Sequence, residues 1–420
     1  MMQKLKDKLS NRFVQNVGWL GASQFINRIF RLGTTVVTAR VFTPEDFGLI
    51  AIIATVHQFI LTLAATGLQE KIAQAKTEKL EQTCNTVYWL NWLLNFALFF
   101  MQCIAAVIIS KFYNNPKLIL PICFLGLIYF IRGFSIVQSG LAQRENRLEV
   151  FAISDGVGQM ATNTLCIIMA LMGLGLWAWV VPQVILAPIW NVIINRGCLW
   201  KAGRFSLEGW QGIFHFGKNI LGVSLLSTVR ENIDYLLVGK FFTVQQLGDY
   251  YFAFNAGIGI SLNVLNTLTF AIFPYLASTE GDIQQLKKRY FDGMKTMALI
   301  TVPIISLQSA LAPFYVPIIF GNQWVKVVPL IIIICLSGLP RPFFNAASRL
   351  LWAVDRTDLD FKLNVIFSVI LTSAIAIGVM QGTIIAVAWS VLIAHLIFLP
   401  LFTWWATRLV FSPKTIAKEI

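Results

Sequence analysis

One feature limits the folds open to this chain more than any other: apolar segments of about 20 residues, each long enough to cross the hydrocarbon core of a bilayer, follow one another along its whole length. They fall near residues 13–38, 46–67, 85–110, 118–141, 150–172 and 175–195. After the connection Arg196 to Gly212 they resume near 213–239, 247–276, 294–320, 326–353, 360–380 and 383–408. Lipid offers no hydrogen bonds, so each segment must satisfy its own amides and carbonyls, and the α-helix does this with local bonds alone. The expectation is an all-α polytopic membrane protein of about 12 transmembrane helices. Composition agrees, at 57% hydrophobic and 13% charged residues with a mean hydropathy of +0.70. Arg28 and Arg31 interrupt the first segment, which leaves a count of eleven open. Lys4, Lys6, Lys8 and Arg12 are not followed by a short apolar core and a small-residue cleavage site, so the first span is expected to stay in place.

The net charge of +13 would suggest nucleic acid in a soluble domain. Here the basic residues sit in short loops between spans, where they orient helices, and no nucleic-acid partner is expected. With a cytoplasmic amino terminus, 21 Lys and Arg residues collect inside, among them Lys71, Lys76, Lys79, Arg144, Arg147, Lys201, Arg204, Lys287, Lys288 and Arg289; the outside receives five, Arg40, Lys111, Lys117, Lys240 and Lys326. Both termini are therefore expected in the cytoplasm, and an even number of spans agrees by placing them on one side. The six cysteines show no CxxC or ligand spacing, and His57, His215 and His395 lie far apart without an HExxH grouping. No GxxxxGK[ST] occurs, and no extramembrane segment is long enough to fold a catalytic or nucleotide-binding domain. No cofactor and no enzyme activity are expected.

The chain repeats. Arg40 to Gly48 (RVFTPEDFG) aligns with Lys240 to Gly248 (KFFTVQQLG), and further matches follow in order: Leu80 with Leu286, Pro121 with Pro329, Arg132 with Arg341, Phe134 with Phe343, Arg147 with Arg356 and Glu149 with Asp358. Collinear order favours a true repeat over chance similarity between apolar sequences. The expected organisation is two six-helix bundles, residues 1–205 and 206–420. Copies of the same topology are related by an axis along the membrane normal, a transporter architecture with a substrate cavity between bundles.

Charges inside the spans are costly, about 2.5–3.5 kcal/mol each at a helix centre, and mark sites by default. Arg28, Arg31, Arg132, Arg230, Arg341 and Arg349, with Lys218 near a span edge, stand against Asp155, Glu231 and Asp234. Gln24, Arg28, Arg31 and Thr35 share one face of the first span. At the offset of 200, Ser224, Thr228, Glu231 and Tyr235 form a similar stripe in the seventh. Two readings are open: the stripes line a cavity, or Arg28 and Arg31 snorkel to an interface and Arg230 pairs with Asp234 one turn away. A net-positive cavity suits an anion, because guanidinium groups grip phosphate oxygens bidentately and hold their charge. The carboxylates are open to two roles, coupling protonation to movement or serving as structural counter-ions.

The run Asp234 to Tyr251 (DYLLVGKFFTVQQLGDYY) resembles the "D-LLIG-FLG … LG-Y" signature of polysaccharide exporters. Ile272-Phe273-Pro274, Phe320 to Trp324 (FGNQW) and Tyr88 to Asn91 (YWLN) resemble further segments of that family in the right order. The resemblance is to Wzx-type flippases of the colanic-acid or O-antigen kind, in the superfamily that also holds MATE exporters and the lipid II flippase, and it covers essentially the whole chain. Thr243, Val244 and Gln245 depart from the family pattern, where Leu-Gly is commoner. The resemblance implies a transporter that moves undecaprenyl-pyrophosphate-linked oligosaccharide repeat units across a bacterial inner membrane for O-antigen, capsule or exopolysaccharide biosynthesis. Its partners would be the lipid-linked oligosaccharide, membrane lipids and, as candidates, the polysaccharide polymerase and export machinery.

On the combined reading, two bundles rock between inward-open and outward-open states. Arg28, Arg31, Arg132 and Arg341 grip the headgroup, Arg230 and Arg349 act as secondary ligands, and Asp155, Glu231 and Asp234 gate or couple. Trp89, Trp92, Trp177 and Trp179 are candidates for stacking on sugars or for interfacial anchoring. The alternatives carried forward are a MATE-like cation-coupled drug or metabolite exporter, a membrane-embedded polysaccharide-processing enzyme, and an assembly scaffold. Excess intramembrane arginine argues against the first, and the lack of a large outer loop or a histidine near a carboxylate argues against the second.

Overall fold

A computed structural model describes residues 26–259 and 282–412, apart from Ala65, Asn146, Cys198, Leu199 and Gly209, together with Ser23, Ser261, Ile272, Tyr275 and Leu276. Gln24, Phe273, Pro274 and the charged residues at both chain ends lie outside the described residues, as does the side chain of Lys218.

The regular elements among the described residues are all helical. In order they form α1 (26–41), α2 (Pro44–Thr62), α3 (Leu68–Gln74), α4 (Leu80–Phe112), α5 (Ile119–Gly133), α6 (Ile136–Arg144), α7 (Leu148–Leu171), α8 (Trp177–Ile185), α9 (Ala187–Gly197) and α10 (Trp210–Phe241). Then come α11 (Val244–Ala256), α12 (Ile283–Tyr315), α13 (Val328–Leu336), α14 (Arg341–Ala353), α15 (Thr357–Met380) and α16 (Ile384–Val410). Among the described residues, eight helical stretches are long and apolar enough to cross a membrane: Pro44–Thr62, Thr77–Phe112, Pro116–Gly133, Trp177–Gly197, Ile283–Phe320, Asn322–Ala353, Thr357–Met380 and Ile384–Val410. The other expected spans correspond to α1, α7, α10 and α11. The first three carry the intramembrane charges Arg28, Arg31, Asp155, Arg230, Glu231 and Asp234, which dilute their apolar character.

Three expected spans are broken. The fourth is interrupted at Phe134 and Ser135 between α5 and α6, the sixth at Leu186 between α8 and α9, and the tenth between Leu336 and Arg341. In the last case the turn carries Gly338-Leu339-Pro340, and prolines at 340 and 342 lack the N–H that a continuing helix needs. The ninth span begins earlier than expected, at Ile283, because Asp282 caps it with its carboxylate on the amides of Gln284 and Gln285, both at 2.9 Å.

Polar and small residues join apolar ones at the helix contacts, while large apolar side chains also face outward. On α4 the buried seam runs Cys84, Val87, Asn91, Asn95, Leu98, Gln102, Ala106 and Ser110 at helical spacing, while Phe96, Phe100, Ile104 and Ile108 are exposed. Small and polar residues at helix contacts with large apolar ones turned outward is the pattern lipid imposes, since lipid solvates Leu and Phe but not Asn. The same holds on α12, with Thr301, Ser309 and Ala312 buried and Leu299, Leu307 and Phe314 exposed.

The chain divides into two compact units, Met1–Val229 and Arg230–Ile420, with the division falling inside α10. In the first, α4 packs on α5, α3 on α6, and α7 on α8 and α9. In the second, α15 and α14 pack on α16, and α12 and α11 on α13.

Local geometry recurs between the halves. Thr43 caps α2 with a reciprocal box: its hydroxyl accepts from the Asp46 amide at 3.2 Å, while its own amide donates to Asp46 Oδ2 at 3.0 Å. Thr243 does the same for α11 with Gln246, at 3.2 and 3.0 Å. Helices α7 and α15 are both 24 residues long. Each is preceded by an arginine whose amide reaches back to a carbonyl five residues earlier, Arg147 to Ala142 and Arg356 to Leu351, both at 2.9 Å. Each arginine pairs with the carboxylate two residues on, Arg147 with Glu149 at 3.5 Å and Arg356 with Asp358 at 3.6 Å. Each helix is followed by a left-handed glycine, Gly173 at φ 78° and Gly382 at φ 75°.

Candidate functional site

The expected site residues separate by unit. In the first, α1 is held against α7 by Ser23, whose hydroxyl donates to the Ala152 carbonyl at 2.7 Å, and by Thr34, whose hydroxyl lies 3.1 Å from Asn163 Oδ1. This leaves Arg28 half-buried and Arg31 exposed on α1.

Arg132 lies in the last turn of α5 and Asp155 in α7; both are exposed. Trp190 on α9 joins them. Its indole Nε1 donates to Asp155 Oδ1 at 2.9 Å, and the Arg132 guanidinium carbon lies 5.9 Å from its ring centroid. Residues of both signs thus meet at one aromatic side chain within segments that read as spans, an arrangement better suited to a water-filled space than to lipid.

The second unit holds two clusters. Asp234, on α10, is buried; it accepts from the Tyr250 hydroxyl at 3.0 Å and the Tyr235 amide at 2.9 Å. Arg341 exerts a favourable charge interaction on Asp234 and lies 5.9 Å from the Phe254 ring centroid. The Arg341 Nε is buried and makes no hydrogen bond. Tyr235 meets Tyr250, Tyr251 and Phe254 edge-on, a partly apolar shell in which opposite charges attract more strongly than in water.

The other cluster runs from α10 across α15 to α14. Arg230 donates to Asn364 Oδ1 rather than pairing with Asp234. Asn364 Nδ2 donates in turn to Asp360 Oδ1 at 3.0 Å, and Trp352 Nε1 donates to Asp360 Oδ2 at 2.8 Å. Arg349 stacks on the Trp352 ring at 4.1 Å. Glu231 is exposed on the neighbouring face of α10.

Sequence reasoning missed Trp190, Trp352, Asp360 and Asn364. One signal was available: the offset of 209 that joins Arg147 to Arg356 also places Asn364 opposite Asp155. Also missed was a buried trio in the first unit. The Tyr129 hydroxyl donates to Gln102 Oε1 at 2.6 Å, and His57 Nδ1 lies 3.1 Å from the same oxygen, which requires a proton on Nδ1. Trp324, in the FGNQW run, is fully buried and stacks on Phe252 at 3.7 Å, so it is a packing residue. Among the described residues no group of histidine, cysteine and carboxylate side chains is placed to hold a metal ion.

The model of the polysaccharide biosynthesis protein family matches residues 37–329. The chain is 23% identical over 395 residues to the lipopolysaccharide biosynthesis protein WzxC of Escherichia coli (strain K12), covering 93% of this chain and 80% of that protein. It is 23% identical over 318 residues to the teichuronic acid biosynthesis protein TuaB of Bacillus subtilis (strain 168), covering 74% of this chain but only 65% of that protein. Among solved structures, the lipid II flippase MurJ in an inward closed conformation superposes with a TM-score of 0.76 at 14% identity, over 93% of this chain and 87% of that one. A multidrug resistance MATE transporter of the MOP superfamily in its inward-facing conformation gives 0.73 at 14% identity, over 92% and 95%. The neighbours whose names state an activity are flippases and transporters, not enzymes. With most of its length matched by the family model, this chain belongs to the polysaccharide biosynthesis protein family, and its multi-pass helical fold is shared with the MurJ and MATE structures.

Proposed function

We propose that this protein flips a polyprenyl-pyrophosphate-linked oligosaccharide from the cytoplasmic to the periplasmic leaflet of a bacterial inner membrane, by alternating access, with both termini in the cytoplasm. The observation that carries the reading is the exposure of arginines within segments that read as membrane spans. Arg31 and Arg132 are exposed, Arg28, Arg230, Arg341 and Arg349 are half-buried, and the helices α1 and α10 that bear three of them are among the least apolar of the spans. An exposed guanidinium in a span needs water or an anion opposite it. A pyrophosphate supplies that anion, and its oxygens match the fork of a guanidinium. Saccharide hydroxyls suit the same wet space, while the polyprenyl chain stays in lipid.

In this reading Arg28, Arg31, Arg132 and Arg341 bind the headgroup, Arg28, Arg31 and Arg341 at its pyrophosphate and Arg132, beside Asp155, at its saccharide. Arg230 and Arg349 are tied to Asn364 and Trp352 and act by holding α10, α14 and α15 together. Asp234, with two donors on it, is a counter-ion to Arg341, and Asp155 and Glu231 are the accessible carboxylates. Lipopolysaccharide and teichuronic acid biosynthesis, named for two relatives, are processes with lipid-linked or polymeric sugars as material.

The test is flipping of a fluorescent polyprenyl-pyrophosphate saccharide in proteoliposomes, beside uptake of a cationic drug. Flipping by the unaltered protein, lost in Arg132→Ala and Arg31→Ala, is the expected result. Drug uptake without saccharide flipping would transfer the reading to a MATE-like exporter, and activity in neither assay would leave a scaffold.

A further inference from the structure

The two tryptophan-centred clusters have the same parts: an indole, an aspartate that accepts its N–H, and an arginine at its ring. They differ in what is left over. In the second unit Arg349 sits 4.1 Å above the Trp352 ring and covers that face. Both oxygens of Asp360 are used, Oδ2 by Trp352 and Oδ1 by Asn364, and the residue is only 7% exposed. That cluster is closed and structural.

In the first unit the Arg132 guanidinium stands at 5.9 Å from the Trp190 ring, the outer limit at which a cation interacts with an aromatic face. Asp155 is exposed, and Trp190 supplies its one hydrogen bond among the described residues, to Oδ1, which leaves Oδ2 available. The indole is nonetheless locked, because its N–H is tethered to α7 while its backbone belongs to α9. A ring held at fixed tilt, beside a carboxylate and a guanidinium each with hydrogen-bonding capacity to spare, is pre-organised and costs little ordering entropy on binding.

We propose that Arg132, Asp155 and Trp190 form a saccharide subsite: a pyranose ring stacks its C–H face on the Trp190 indole, one hydroxyl donates to Asp155 Oδ2, and Arg132 donates to a ring or hydroxyl oxygen. The chemistry fits a neutral sugar better than it fits the pyrophosphate. The electron-rich indole face attracts the electropositive C–H side of a sugar, whereas the Asp155 carboxylate repels a phosphate and accepts from a hydroxyl. The proposal rests on the flippase reading above and adds where the first sugar of the substrate is recognised.

Binding to the purified full chain in nanodiscs separates the two. The probes are undecaprenyl pyrophosphate and its glucosyl, galactosyl and N-acetylglucosaminyl derivatives, and the readout is the affinity ratio of each glycosylated lipid to the bare one. The unaltered protein is expected to prefer at least one glycosylated lipid, and Trp190→Ala to cut that preference about tenfold, the loss typical of a buried aromatic anchor. Trp190→Phe keeps a ring without the tether and is expected to retain part of the preference; Asp155→Asn reports on the carboxylate if Trp190→Ala does not fold. A protein that binds bare and glycosylated lipids equally, or a preference unchanged in both Trp190→Phe and Asp155→Asn, overturns the subsite and leaves the flippase reading standing. No binding of any of the four lipids overturns the flippase reading itself, and the subsite with it.

Discussion

At the scale of single residues, the buried acids are held by neutral donors as much as by charge. Asp234 takes hydrogen bonds from Tyr250 and Tyr235, so Tyr250→Phe removes one donor from a buried carboxylate. The expected cost is about 1–3 kcal/mol, read as a lowered unfolding temperature of the purified protein. Trp324 makes a sharper case. It is fully buried and stacks at 3.7 Å on Phe252. Trp324→Ala is expected to destabilise by about 3–5 kcal/mol, far more than Phe241→Ala, whose side chain is 64% exposed and meets lipid or water already. Equal unfolding temperatures for those two variants would count against the packing role. The FGNQW run was legible as a motif, but its tryptophan as a core residue was not, because a sequence gives no sign of which neighbour a ring will meet.

At the scale of elements, two devices make the helices begin and dock where they do. The reciprocal boxes at Thr43 and Thr243 satisfy amides at the starts of α2 and α11 that no helical carbonyl can reach. Thr43→Ala and Thr243→Ala are each expected to cost about 1 kcal/mol, and hydrogen exchange should show the loss in the first turn of the helix concerned. The second device is the close approach of α3 and α6 at Gly140, where an added Cβ would come within 2.8 Å of Ile72 Cβ. Alanine in a helix gains about 1 kcal/mol over glycine in intrinsic propensity, but the Ile72 Cβ is fixed to the backbone and cannot swing away. Overpacking of about 1–3 kcal/mol therefore wins, and Gly140→Ala is expected to lower the unfolding temperature; a rise would mean that the two helices can separate freely. The broken spans belong to this scale too. The residues 118–141 and 175–195 read as continuous apolar runs, yet the chain turns within them, because apolar periodicity reports immersion in lipid and is silent on where a helix bends.

At the scale of the whole molecule, the asymmetric distribution of lysine and arginine predicts a topology. With the native cysteines replaced, a cysteine at Ser206 should react with an impermeant maleimide only from the cytoplasmic side, and one at Asn115 only from the outside. The reverse pattern would invert the membrane orientation and the direction of flipping with it. The internal repeat has its own local signature. Capping boxes, the backward-reaching arginines and the left-handed glycines recur at matching positions of the two halves. The clusters built on these similar frames differ, open around Trp190 and closed around Trp352, so the halves do not offer the same groups to a ligand.

The sequence by itself determined that the chain is helical, that it spans a membrane many times, and which intramembrane charges deserved notice, because the bilayer penalises each polar group wherever it lies in the chain and so writes its demands into local composition. The grouping of those charges was decided only by tertiary structure. Arg230 turned from Asp234, one turn away on its own helix, to Asn364 on α15, and Asp155 found an indole 35 residues later. Partners of this kind come from separate helices, and the packing that brings them together depends on side-chain shape and close approach across the bundle, neither of which has a period in the sequence.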